Sequence, residues 1–128
     1  MNVIYIDDDA ANRAVMKALL ATAGLQMAEA ADATIGLQAL DRGSYDLVLM
    51  DLRMPQMNGL TAIRQLRARG GDKGRLPVVV VTADLTPGVQ ELCEAAGADA
   101  FLAKPVALDK LFRALGSVLA AKGNVSIN

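Results

Sequence analysis

The sequence predicts an α/β fold in three layers, a parallel sheet of five strands covered by helices on both faces. Two observations carry this. Strand-like and helix-like patterns alternate five times with short connections, the signature of a (βα)5 unit. The clearest strands are also apolar on successive residues, as in Leu47 to Met50 and Val78 to Val81, which marks strands buried on both faces.

Val3 to Ile6 forms the first strand. The segment after it repeats Val15, Leu19 and Ala23, with Met16 and Leu20, at helical spacing, and Gly24 supplies the stop. Leu25 to Ala30 is a weaker strand that ends near Asp32. The second helix turns Ala33, Leu37 and Leu40 inward and runs to Gly43. The third strand, Leu47 to Met50, ends on Asp51 before a Met-Pro turn. The third helix has Leu60, Ile63 and Leu66 on one face and is expected to end at Gly70 and Gly71. Pro77 stands at the start of the fourth strand, where a missing N–H is tolerated. Pro87 is expected to open the fourth helix in its first turn and Gly97 to close it. A short fifth strand spans 99 to 104, and Leu108, Leu111, Phe112, Leu115 and Leu119 form the stripe of the last helix.

Size and composition narrow the function. A chain of 128 residues that is 53% hydrophobic and 21% charged suits one domain with a substantial core. We take residues 1–122 as that domain and 123–128 as a tail or the start of a linker. A net charge of −1 disfavours direct contact with nucleic acid, which needs a basic stripe. The single cysteine, Cys93, forbids an intrachain disulfide and reads as a buried reduced thiol. No stretch reaches the length of a membrane span and the start lacks a signal-peptide layout, so a cytoplasmic location without membrane contact is expected.

In a parallel sheet all strand carboxyl ends share one edge, where ligands bind in open α/β folds. The first strand ends in Asp7 and Asp8, with Asp9 beyond; the third ends in Asp51, the fourth in Thr82, and the fifth in Lys104 before Pro105. Each has an ordinary explanation. One of Asp8 and Asp9 is expected to cap the next helix, Thr82 favours strands, and most lysines are solvated. Their convergence on one rim is harder to explain that way. Neighbouring carboxylates repel unless a cation lies between them. Oxygen ligands without histidine or cysteine suit a hard ion, best Mg2+. A carboxylate can also attack a phosphoryl group to form an aspartyl phosphate, provided the equatorial oxygens are neutralised.

The stretches VIYIDDD, LVLMDLRMPQMNG, VVVVTA and FLAKP, in this order and spacing, resemble the receiver domains of two-component response regulators across nearly the whole chain. The resemblance implies a flavodoxin-like fold with strand order 2-1-3-4-5. It implies that Asp51 is the phosphoacceptor for a histidine kinase or histidine phosphotransfer protein. Mg2+ would be held by Asp8, Asp51 and the backbone carbonyl of Arg53, with Asp7 acting mainly through water. Lys104 would pair with the phosphate and precede a cis bond to Pro105, and Thr82 would move to the phosphoryl group. Phe101 stands at the aromatic switch position, where many members have tyrosine, and can act there only by packing. The response would appear on the fourth helix, fifth strand and fifth helix, read by a downstream protein or attached effector, and the same face is a candidate homodimer surface. The opening Asp-Asp-Asp with Asn12 and Arg13, and the VLMDLRMP wording, resemble receivers of hybrid kinases.

Two finer expectations concern the rim. Arg53 and Asp84 should flank the mouth of the site, as an ion pair or as regulators of water access. Ala10, Ala11, Ala14, Val106 and Ala107 offer a small apolar patch for the phosphodonor. Two rival readings also fit in part. A Mg2+-dependent aspartyl phosphatase would want an acid two residues after its nucleophile, where this chain has Arg53. A docking module that is never phosphorylated would not need Asp8, Asp51, Thr82 and Lys104 together.

Overall fold

The computed structural model describes residues 1–121; the expected boundary after residue 122 and the tail at 123–128 lie outside the described residues. The strands are β1 (Asn2–Ile6), β2 (Gln26–Ala30), β3 (Leu47–Met50), β4 (Val78–Thr82) and β5 (Ala100–Ala103). The helices are α1 (Ala10–Ala21), α2 (Ala33–Arg42), α3 (Gly59–Ala68), α4 (Gly71–Gly74), α5 (Val89–Ala96) and α6 (Leu108–Ala121). All strand pairs are parallel, in the order β2-β1-β3-β4-β5. This is the expected flavodoxin-like arrangement.

Strand alternation sorts the core into two halves. Ile4, Ile6, Val48, Met50, Val78 and Val80 pack toward α2, α3 and α5. Val3, Tyr5, Leu47, Leu49, Val79 and Val81 pack toward α1 and α6. Every residue of β3 and β4 is buried, which explains why those strands read as unbroken apolar runs.

The helices depart from expectation in places where local pattern is a weak guide. In α1 only Met16 and Leu20 are buried, while Val15 is 60% exposed and Ala23 falls beyond the helix end. Leu108 is also exposed, and Val118 joins Leu111, Leu115 and Leu119 in the buried stripe of α6. Pro87 does not open α5. It sits in a turn before Gly88, whose φ of 90° puts the helix start at Val89. Helix α3 ends before the glycine pair, and Gly70 and Gly71, both with positive φ, launch the extra single turn α4. Arg67 fastens that turn, donating to the carbonyls of Gly74, Leu76 and Gly97 and pairing with Asp99. None of the described helices is long and apolar enough to cross a membrane.

Candidate acidic site at the sheet edge

Register brings the acids together. Ile6 of β1 pairs with Met50 of β3, so the next residues, Asp7 and Asp51, emerge side by side. Both remain in the backbone ladder, through Asp51 N–H to the Ile6 carbonyl and Asp7 N–H to that of Ala30. Burial at this point is nearly complete, with Asp7 at 0% and Asp51 at 5% exposure. Asp8 is exposed, and Asp7, Asp8 and Asp51 each offer a carboxylate oxygen within 4.8 Å of the others. Asp9 is the helix cap, accepting from the N–H groups of Ala11 and Asn12.

Lys104 reaches into this cluster from the end of β5. Its N–H bonds the Thr82 carbonyl, and its Nζ lies 2.9 Å from Asp7 Oδ2 and 3.4 Å from Asp51 Oδ2. The following bond to Pro105 is cis. Burial raises the Asp51 pKa above its ordinary value; Lys104 opposes the shift and Asp7 adds to it. Burial also works against the charge of Lys104, but the hydrogen bond to Asp7 and the attraction of Asp51 prevail and raise its pKa.

The loop after Asp51 is tightly seated. Asp51 Oδ1 accepts from the Leu52 N–H at 2.8 Å, and Gln56 adopts a left-handed φ of 71°. Gly59 abuts the strand end so closely that a Cβ there would stand 2.4 Å from the Asp51 carbonyl oxygen. Asn58 caps α3 by accepting from the Thr61 N–H.

Thr82, fully buried, ends β4, and its Oγ1 accepts from the Asp84 N–H at 3.1 Å. Asp84 Oδ2 in turn receives Arg53 Nε and Nη2 at 3.1 and 2.7 Å, so the two residues form an ion pair that joins the loops after β3 and β4. The Asp84 carboxyl is held down to about 2, first by the Thr86 hydroxyl and N–H and then by Arg53. The pair edges a cavity of about 520 Å3 lined also by Leu52, Met54, Leu60 and Leu92. Phe101 is half-buried and packs against the α2-α3-α5 side of the core. Ala10, Ala11, Ala14 and Ala107 are exposed and Val106 half-buried, as a surface patch requires.

Two members of the site were missed by sequence reasoning. Tyr5, read only as a strand residue, donates its hydroxyl to Asp7 Oδ2 at 2.6 Å; burial and then Asp7 raise its pKa. The clue was the spacing of Tyr5 and Asp7, since residues two apart on a strand share a face. Arg13 Nη1 donates to the Asp7 carbonyl while its Nε holds Glu29, tying α1 to the ends of β1 and β2. That contact left no local sequence signal.

Comparison with known proteins agrees with this geometry. Over 119 residues the chain is 44% identical to the sensory/regulatory protein RpfC of Xanthomonas campestris pv. campestris, covering 92% of this chain and 16% of that protein. It is 35% identical over 115 residues to the sensor histidine kinase RcsC of Salmonella typhi, covering 90% of this chain and 12% of the relative. The chain thus spans less than a fifth of either relative. Among solved structures, the receiver domain of the sensor histidine kinase PA1611 from Pseudomonas aeruginosa, with a magnesium ion in its active-site cleft, superimposes with a TM-score of 0.84 at 31% identity, over 93% of this chain and 97% of that one. The Vibrio cholerae chemotaxis protein CheY4 gives a TM-score of 0.84 at 26% identity, over 92% of this chain and 98% of its own. The model of the response regulator receiver domain matches residues 3–116, and with the sheet order and the acidic edge this makes the chain a member of the receiver-domain family of two-component signalling proteins.

Proposed function

We propose that this receiver domain is a phosphorylation-dependent switch whose phosphoacceptor is Asp51. The observation that carries the reading is the buried Asp51 carboxylate, gathered with Asp7 and Asp8 and standing 3.4 Å from the Lys104 ammonium. A carboxylate so placed is a nucleophile whose charge is already managed.

The acid cluster fits a hard divalent cation, because three carboxylate oxygens lie within 4.8 Å and neither histidine nor cysteine is among them. Asp8, Asp51 and the backbone carbonyl of Arg53 would hold Mg2+, with Asp7 acting mainly through water; the similar PA1611 receiver carries magnesium in its cleft. When bound, the ion neutralises carboxylate repulsion and phosphoryl oxygens. Asp51 attacks the phosphorus of a phosphohistidine on a histidine kinase or phosphotransfer protein. A carboxylate O–P bond forms, the P–N bond breaks, and the imidazole leaves with the bonding pair and takes up a proton. Lys104 accompanies the transferred group by pairing with one of its oxygens. By the same contacts the domain assists its own dephosphorylation, without being an enzyme acting on separate substrates.

Phosphorylation adds up to about two negative charges and three acceptor oxygens. Thr82 Oγ1 now accepts from Asp84 N–H, and its own proton is available for the phosphoryl group. Movement of Thr82 loosens the β4–α5 connection and lets Phe101 repack, so the signal emerges on α5, β5 and α6. A few kcal/mol of new contact are enough to shift such an equilibrium. A downstream protein, an attached effector or a second copy of the domain reads that face. The setting is cytoplasmic.

Incubation with Mg2+ and a small acyl phosphate, followed by intact-mass measurement, tests the reading. Wild type should gain roughly 80 Da, one phosphoryl group, and Asp51→Asn should gain nothing. Turnover of the donor without an adduct would favour a phosphatase, and no reaction at all a docking module.

A further inference from the structure

We infer that Tyr5 is a positioning residue for the acidic site, acting through Asp7. This rests on the proposed phosphoacceptor reading and adds to it a role for a residue outside the strand-end acids. The Tyr5 ring is buried at 1% exposure among Met16, Leu20, Val81 and Leu111 on the α1-α6 side of the sheet, a place that a phenylalanine or leucine would fill as well. The hydroxyl is the unusual part. A buried polar atom must find a partner, and this one donates at 2.6 Å to Asp7 Oδ2, the oxygen that also receives Lys104 Nζ at 2.9 Å.

The Asp7 carboxylate is held at three points. Oδ1 accepts from the Asp9 N–H at 2.8 Å, and Oδ2 accepts from both Tyr5 and Lys104. Asp7 is fully buried, so its charge depends on these donors and on any cation beside it. Lys104 has a second claim on it, because Asp51 Oδ2 is only 3.4 Å away and the proposed phosphoryl group would draw the ammonium further that way. Once Lys104 turns to that group, Tyr5 is the side-chain donor that remains on Oδ2. It keeps the carboxylate oriented toward Asp8 and Asp51 and spares a buried oxygen from losing both its side-chain donors at once. Outer partners of this kind orient the ligands of a metal site, and losing one typically weakens metal binding about 10- to 100-fold.

Tyr5→Phe removes the hydroxyl and keeps the ring. The chain has two tyrosines and no tryptophan, so near-ultraviolet absorbance comes from Tyr5 and Tyr45 in about equal parts, and Tyr45→Phe leaves Tyr5 as the one tyrosine. Tyr45, which packs on the opposite side of the sheet, supplies the control through Tyr45→Phe. Calorimetric titration with Mg2+ should show about tenfold weaker binding to Tyr5→Phe than to wild type or Tyr45→Phe. The near-ultraviolet tyrosine band should shift on adding Mg2+ in wild type and Tyr45→Phe, and stay still in Tyr5→Phe. Equal Mg2+ affinity of Tyr5→Phe and wild type would overturn the inference, leaving the hydroxyl a purely structural group. Intact-mass assay of wild type runs alongside: failure of Asp51 to be phosphorylated would count against the phosphoacceptor reading, whereas normal phosphorylation with unchanged Mg2+ affinity in Tyr5→Phe counts against Tyr5 alone.

Discussion

Arg53 and Asp84 clasp one another between the loops that follow β3 and β4, the guanidinium donating twice to Asp84 Oδ2 at 3.1 and 2.7 Å. Each stands two residues beyond a strand-end residue of the site, Arg53 after Asp51 and Asp84 after Thr82. The pair therefore bridges the loop that carries the proposed phosphoacceptor and the loop that follows Thr82.

Removing the clasp should admit water to the site. Arg53→Ala is expected to speed loss of the phosphoryl group severalfold while leaving Tm nearly unchanged, since the Arg53 side chain is 72% exposed and exposed pairs add little stability. Autodephosphorylation followed by intact mass checks this, and a rate equal to wild type would remove the role.

Asp51 should cost the fold stability at neutral pH. A carboxyl whose pKa is raised by burial binds its proton more tightly in the folded chain than in the unfolded one. Stability therefore falls as the pH climbs past the ordinary value of 3.8. Asp51→Asn is expected to melt above wild type at pH 7 in the absence of divalent cation, with the gap closing toward acid. Thermal scans across pH would expose the opposite trend.

Lys104→Met keeps the length of the side chain and removes its charge. Asp7 and Asp51 then face each other uncompensated, and a loss of about 1–3 kcal/mol is expected from the vacated hydrogen bond. Mg2+ should recover part of it, because a ligand that binds only the folded state stabilises that state. The raised pKa of Lys104 means its contribution is present at neutral pH and lost above the ordinary 10.5. Denaturant melts with and without Mg2+, and at alkaline pH, measure both effects.

Gly59→Ala would set a methyl group 2.4 Å from the Asp51 carbonyl oxygen and 3.0 Å from Leu52 Cα. Backbone cannot yield as a side-chain tip does, so overpacking of about 1–3 kcal/mol is expected, with slower phosphorylation of a displaced Asp51. Unaltered melting and kinetics would show that the loop can shift freely.

Most of the architecture was legible because it follows from short-range pattern. Short apolar runs such as Leu47 to Met50, set between helical patterns, read as strands buried on both faces, and five strand-helix units leave few topologies. Less legible were the helix edges. Val15 and Leu108 share the spacing of buried neighbours yet lie on the rim of the stripe, where a small rotation decides exposure. The glycine pair at 70 and 71 does stop α3, but the further turn beyond it, fastened where Arg67 gathers the carbonyls of Gly74 and Leu76, left no local signal.

The chain by itself determined which residues stand at the strand ends, since hydrophobic runs and turns fix where each strand stops. Tertiary structure decided which of them touch. Lys104 meets Asp7 across a separation of 97 residues, and only the parallel register of β1, β3, β4 and β5 makes them neighbours. The same register puts Tyr5, Asp7 and Lys104 on the α1-α6 side, with Thr82 following the buried residues of the α5 side, because alternate residues of a strand face opposite ways. Contacts of that kind depend on where separate strands come to rest beside one another, and no local stretch of sequence encodes a distance between two chains of side chains that far apart.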